Sequence, residues 1–233
     1  MTATRIPGAG AAAQRVALSP RKTPLQTRSR DTVAVILKGA AQVFAAHGYA
    51  GATTNRIAER AGVSIGSIYE YFPNKEAILI ALAEAHLDEG QRILQQAALE
   101  LMATPRNLEG TKRGSVMAMV QVHAADPALH RVLSEEAPRP QQIRRRILAL
   151  EQESTAWTEQ YLRGQTEVAV RAPALAAAVV VQTIEAMTHR VVIHAEPGTN
   201  INAYVEEIVA LVMGYLVARR SMQPGGNAPE EVR

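Results

Sequence analysis

From Asp31 onward the apolar positions fall at helical spacing. Val33, Ile36, Leu37, Ala40 and Phe44 recur at three- and four-residue intervals. That spacing predicts a helix with one buried face, capped by Asp31 and stopped at Gly48. A second, short helix is predicted after a cap at Thr54, with Ile57, Ala58 and Ala61 turned inward and Gly62 at its end. Ser64 is placed to cap a third helix anchored by Ile68 and Phe72 and closed by Pro73. Asn74 can cap a fourth, from Lys75 through Leu79, Leu82, Ala83 and His86 to about Leu101.

Beyond Pro105 the same period returns in longer segments punctuated by proline and glycine. Val116, Met119, Val120 and His123 share a face of a helix that ends before Asp126-Pro127, and a short segment follows to about Glu136. Ile143, Ile147, Leu150, Ser154, Trp157 and Tyr161 step along one stripe of a long helix. Pro173 opens another, to about Ala195, and a last one runs from about Asn202 to Ala218. In that last helix Val205, Ile208, Val209, Leu211, Val212, Tyr215 and Leu216 cover most of the circumference. A surface helix needs only one apolar stripe, so this one must be covered on several sides. Either a deep core or a two-fold dimer, with two helices from each subunit forming a four-helix bundle, would do that, and the dimer is the favoured expectation. No alternation of strand period is present, and the expected fold is all-α.

Composition sharpens this picture in two respects. The 233 residues contain no cysteine, which excludes a disulfide scaffold, a thiol nucleophile and a zinc–thiolate finger, and fits a cytoplasmic protein. The charge is unevenly placed: six of the 25 basic residues and none of the 22 acids lie in residues 1–30, so the remainder carries a net −3. A basic, proline-broken arm ahead of a mildly acidic body implies an anionic partner at that end, or a solvated disordered tail. The most apolar stretch, ALAAAVVVQTIEAMTHRVVI, carries Glu185, His189 and Arg190, which argues against a membrane span.

The chemistry concentrates in residues 53–78, TTNRIAERAGVSIGSIYEYFPNKEAI. Two short helices joined by a glycine turn at Gly62-Val63-Ser64 have the form of a helix-turn-helix. Gly66 and Ser67 leave no bulk at the start of the second helix, where a backbone would approach a groove floor. Lys75 opens a helix whose free N–H groups favour a phosphate. Residues 32–79, through AAQVFAAHGYAGATT and IAERAGVSIGSIYEYFPNKEAIL, resemble the DNA-binding domain of the tetracycline-repressor (TetR) family. The DPALHRVLSEEAPRP stretch resembles part of that family's regulatory domain more loosely. The resemblance implies an all-helical homodimeric repressor that reads a palindromic operator and is released when a small ligand moves its fourth helix. It implies that Thr54, Tyr71 and Lys75 contact phosphates, and that Asn55, Ile65, Gly66, Ser67 and Tyr69 face base edges or thymine methyl groups. Ile65 and Gly66 cannot make bidentate bonds to bases, so apolar contacts and DNA shape enter the readout. Arg56, Arg60 and the basic arm would supply further phosphate contacts.

A ligand pocket is expected between the inward faces of the later helices, with Met119, His123, Trp157, Tyr161 and Met187 as its walls; methionine and aromatic side chains suit a deformable apolar site. Glu185 and His189 lie at i, i+4, but no third ligand falls at metal-site spacing, so neither a metal nor a cofactor is expected. The sequence contains no GxxxxGK[ST] or GxGxxG, and no enzymatic activity is expected. The domains read as an arm over 1–30, a helix-turn-helix domain over 31–77, a regulatory and dimerisation domain over 78–222 and a tail over 223–233. A small-molecule-responsive repressor and a DNA-tethered protein-interaction module without a ligand are the two functions left, both in the cytoplasm at the nucleoid.

Overall fold

The computed structural model describes residues 27–103 and 107–217. The expected arm up to residue 26 and the tail lie outside the described residues. Residues 27–30, counted above with the arm, are helical: α1 runs over Thr27–Gly51, four residues ahead of the expected Asp31 cap. It is followed by α2 (Thr54–Ala61), α3 (Ile65–Tyr71) and the long α4 (Lys75–Ala103). Then come α5 (Leu108–Ala124), the short α6 (Pro127–Arg131), a π-helical turn over Val132–Glu136, α7 (Gln141–Arg163), α8 (Pro173–Ile193) and α9 (Ile201–Val217).

The caps follow local chemistry. Thr53, not Thr54, caps α2 by accepting from the Arg56 N–H at 3.2 Å. Ser64 accepts from the Ser67 N–H at 3.0 Å, and Asn74 from the Ala77 N–H at 2.8 Å. Gly62 ends α2 at φ 66°, ψ 31°, a left-handed geometry in which its N–H reaches the Ala58 and Glu59 carbonyls. That single residue turns the chain from α2 into α3.

Two cores result. In the first, Ile36, Ala40 and Phe44 of α1 meet Ile57 of α2, Ile68 of α3, Phe72, and Ile78 and Leu82 of α4. Phe44 and Phe72 are fully buried and each stabilises the domain by about 1.5–3 kcal/mol. Leu129 and Val132, from α6 and the π turn, complete this core although they lie far along the chain. In the second core, Leu108 and Val116 of α5, Leu162 of α7, Val180 and Ile184 of α8 and Val205, Ile208 and Leu216 of α9 pack together. The link between α7 and α8 is tied to the end of α9 by the Ala169 N–H donating to the Leu216 carbonyl at 2.9 Å.

Residues 29–51 and 173–193 are long and apolar enough to cross a membrane by length and composition alone. Here they supply Ile36, Ala40 and Phe44 to one core and Ala176, Ala177, Val180 and Ile184 to the other. α8 and α9 still leave Leu175, Val179, Tyr204 and Leu211 exposed, Leu211 by 54%.

Candidate nucleic-acid interface and ligand cavity

α3 is held by Ile68 and Tyr71 on its inner side, and its opposite face points outward. Ile65, Gly66 and Tyr69 are exposed, as is Asn55 on α2. The Tyr69 hydroxyl meets Thr54 Oγ1 at 3.2 Å, which ties the outward faces of the two helices together. A Cβ on Gly66 would meet only Ser64 Oγ, at 3.6 Å, so nothing within the domain demands glycine there. Ser67 is half-buried and its hydroxyl bonds Ser64 Oγ at 2.9 Å.

Two expected phosphate contacts are turned inward. Tyr71 is 7% exposed and belongs to the first core, so its burial supports packing, not a contact made by an exposed ring. Lys75 donates to the Tyr49 carbonyl at 2.9 Å and lies 4.3 Å from the centre of the Tyr49 ring. Arg56 donates to the Gly51 carbonyl and Arg60 to Gln42 Oε1, each at 2.5 Å, so both stay within the domain.

Tyr49 is a junction. Its hydroxyl donates to Glu76 Oε1 at 3.0 Å, and burial, aided by that carboxylate, pushes the phenol up to about 12. Its backbone N–H donates to Glu136 Oε2 of the π turn at 3.1 Å. One residue earlier, Gly48 breaks the helix at φ 65°, ψ 177°, and a Cβ there would lie 2.5 Å from Glu136 Oε2. The end of α1, the start of α4 and the π turn thus meet at one point.

Further along, α4, α5, α7 and α8 enclose a largely apolar cavity of about 230 Å³. Of the five expected wall residues, Met119 and Trp157 line it. Tyr161 stands behind the wall: it stacks on Trp157 with ring centres 5.8 Å apart and donates to Thr111 Oγ1 at 2.8 Å. Met187 packs against the second core, and His123 is buried in a cluster of histidines; neither lines the cavity.

The residue that sequence reasoning missed is Lys112. It lines the cavity, is 1% exposed, and forms no ion pair among the described residues. Its ammonium lies 5.1 Å from the centre of the Tyr161 ring, and burial pushes it down to about 8. Glu153, the acid on the same wall, is bonded by Gln91 at 3.4 Å instead. A signal was present, since Lys112 stands four residues before Val116 on the inward stripe.

Sequence spacing offered no third ligand beside Glu185 and His189, yet the fold gathers histidines from four elements. His86 of α4, His123 of α5, His130 of α6 and His189 of α8 lie with neighbouring ring centres 4.7–5.4 Å apart. Burial, and then the neighbouring imidazoles, push His123 down to about 4 and His130 to about 3.

Comparison with known proteins agrees with this division. A family model described as bacterial regulatory proteins, tetR family, matches residues 36–82, and one described as tetracyclin repressor-like, C-terminal domain, matches residues 108–216. The HTH-type transcriptional repressor AcnR of Corynebacterium efficiens is 50% identical over 48 residues, 21% of this chain and 26% of the relative. The match therefore spans about a quarter of that relative's length. Among solved structures, a bacterial regulatory protein in the tetR family from Rhodococcus RHA1 superposes with a TM-score of 0.63 at 21% identity, over 79% of this chain and 96% of the other. FadR from Bacillus subtilis, in complex with stearoyl-CoA, superposes with a TM-score of 0.60 at 21% identity, over 78% of this chain and 98% of the other.

Proposed function

Because the chain belongs to the TetR family of bacterial regulatory proteins, cytoplasmic DNA-binding regulators and not enzymes, we propose that it is a repressor that binds a palindromic operator at the nucleoid as a homodimer and is released by a compact amphipathic acid. The observation that carries this reading is the course of α4. It starts immediately beyond α3, at Lys75, and the same helix supplies Gln91, Leu94 and Leu101 to the cavity wall. A ligand that displaces those residues acts on a rigid lever whose other end orients the recognition helix.

The cavity argues for the chemistry of the effector. An apolar chamber with one uncompensated cation suits an apolar body ending in a carboxylate or similar anion, since an unpaired buried charge gains most from a counter-charge. At about 230 Å³ it lies below the roughly 300–1,000 Å³ common for drug-sized ligands, which favours a small acid. The stearoyl-CoA bound by FadR of Bacillus subtilis supports the same class, an apolar chain with a polar end, on the same fold.

On α3, Ile65 and Tyr69 stand one turn apart on the outer face and would meet bases, with Gly66 allowing close approach of the backbone. Asn55 and Thr54 flank them, and Ser67 acts through the cap it shares with Ser64. Phosphate binding then falls to backbone N–H groups, the remaining donors of Lys75 and the basic arm.

Sheared genomic DNA recovered with the purified protein at moderate salt, then sequenced, tests the reading. Fragments sharing an inverted repeat are expected, and even recovery of all sequences would overturn it in favour of phosphate binding without readout. On the recovered site, Tyr69→Ala should cost about 1–3 kcal/mol at its own base steps and little on unrelated DNA. For about 6–10 phosphates neutralised, log affinity should fall against log salt with a slope of about −5 to −9.

The exposed stripe of Leu175, Val179, Tyr204 and Leu211 supports the dimer, each helix pair covering its copy's pair. Leu211→Glu is expected to give a folded monomer by light scattering; a persistent dimer would place the interface elsewhere. If the cavity binds no small acid while the α8–α9 face captures another protein, the interaction-module reading replaces the ligand-responsive one.

A further inference from the structure

Separate from the cavity, we infer that His123, His130 and His189 form a binding site for a zinc-class divalent transition metal, with His86 and Glu135 as the groups that orient the ligands. The three residues each offer a ring nitrogen, and these atoms all lie within 4.8 Å of one another. A tetrahedral ion with bonds of about 2.0–2.1 Å needs its ligand nitrogens roughly 3.3–3.4 Å apart. His130 Nε2 and His189 Nδ1 are already 3.1 Å apart. His123 has to close by an adjustment of about an ångström, within reach of a side-chain rotation.

Two arrangements of the protons fit the outer partners. His86 Nε2 and His130 Nδ1 are 2.7 Å apart and share one hydrogen bond. With the proton on His130 Nδ1, the lone pair of His130 Nε2 faces His189. On the far side of the His189 ring, Nε2 lies 3.7 Å from Glu135 Oε1, which favours a proton there and leaves the lone pair on Nδ1. With both protons on the outer nitrogens two lone pairs face each other across 3.1 Å, an arrangement that a Lewis acid completes; with the proton on His86 Nε2 the same rings form a hydrogen-bonded relay from His86 to Glu135 instead. The first arrangement also matches the way metal-binding histidines are held by a carboxylate or other acceptor on the second nitrogen.

A further observation points the same way. His123 is 2% exposed, and neither of its ring nitrogens has a hydrogen-bond partner. A buried imidazole normally finds a partner, and a third coordinate bond would be that partner. Three neutral imidazoles without thiolates or clustered carboxylates suit zinc, cobalt or nickel and not calcium or magnesium, and leave a fourth position for water or a ligand. The neighbouring group of Glu135, His189 and His194 is more exposed, and Glu135 Oε1 is already bonded by His194 Nε2 at 2.7 Å, so it serves as the orienting shell.

The site would join α5, α6 and α8, and it reaches the DNA-binding domain through consecutive residues. Glu135 orients the site, while Glu136 accepts the Tyr49 N–H of α1.

The test is titration of chelator-stripped, full-length protein with Co²⁺ and with Zn²⁺. One equivalent of Co²⁺ per chain, with intense visible bands of tetrahedral coordination that Zn²⁺ bleaches, is the expected result. His123→Gln and His130→Gln should each abolish the bands, whereas His47→Gln, at an exposed position on α1, should leave them unchanged. Because core histidine variants can misfold, Glu135→Gln supplies a second reading: the bands stay and affinity falls about ten- to a hundredfold. Absence of the bands from the native chain, or their survival in a folded His123→Gln/His130→Gln variant, would overturn the site. Either would leave the histidines as a hydrogen-bonded chain only.

Discussion

Lys112→Met is expected to make the protein more stable and to deafen it to its effector. The ammonium is 1% exposed and has no anionic partner among the described residues, so folding removes a charge from water with only the Tyr161 ring in return. Its descent from 10.5 to about 8 corresponds to a penalty of about 3 kcal/mol at neutral pH. Methionine has a similar reach and no charge to bury, and such replacements of buried ions are often stabilising. For a chain of this size that gain raises the melting temperature by roughly 5–10 °C.

The pH dependence fixes the cause. The unfolded lysine holds its proton up to about 10.5 and the folded one only to about 8, so between these values the unfolded state binds more protons and stability rises with pH. The penalty is full below pH 8 and relieved by pH 10.5. The difference between native and variant proteins should therefore shrink across that window. Melting curves at pH 7, 9 and 10 measure it; a variant less stable than the native chain, or a gap indifferent to pH, would show that Lys112 is solvated or paired. The same substitution should remove the thermal shift given by a bound small acid.

Gly48→Ala has the opposite sign. At φ 65°, ψ 177° the backbone occupies a region essentially reserved for glycine, and a side chain there costs about 1–3 kcal/mol. The new methyl would also displace the Glu136 carboxylate, 2.5 Å away, from the Tyr49 N–H. A total loss of about 2–4 kcal/mol in urea unfolding is expected. Glu136→Ala alone should cost about 1 kcal/mol, and the double variant less than the two losses together, because the clash disappears with the carboxylate. Strict additivity would mean that Gly48 and Glu136 do not meet.

Much of this architecture was legible in the sequence because it rests on local rules. Ser64 and Asn74 cap as their chemistry suggests, Gly62 makes the turn, and Pro127 and Pro173 open helices. The displaced boundaries are equally local: Thr53 and Thr54 are both competent caps, and only packing of α2 chooses between them. The functional residues divide along the same line. Ile65 and Tyr69 are exposed because helical period assigns Ile68 of α3 to the core, and Asn55 because it assigns Ile57 and Ala58 of α2 there. Lys75 turned inward because Tyr49, more than twenty residues away, holds it by carbonyl and ring, and Tyr71 because it joins the core that α1, α2 and α4 build together. The histidines were opaque for a related reason. Spacing reveals ligands that share one helix, and His86, His123, His130 and His189 sit on four helices.

The two residues from α6 and the π turn that close the first core, Leu129 and Val132, bear on how such proteins can be recombined. A chimera that grafts the first 82 residues onto another regulatory body would leave behind two of the apolar side chains its head is built around, and with them Glu136, the anchor of Tyr49. The head is not a detachable cassette. A working transplant must carry the segment 127–136 with it, or find a host whose equivalent segment presents the same two apolar side chains and one carboxylate. Under the proposed function, operator preference and effector response would therefore be inherited together more tightly than the linear order of the two domains suggests.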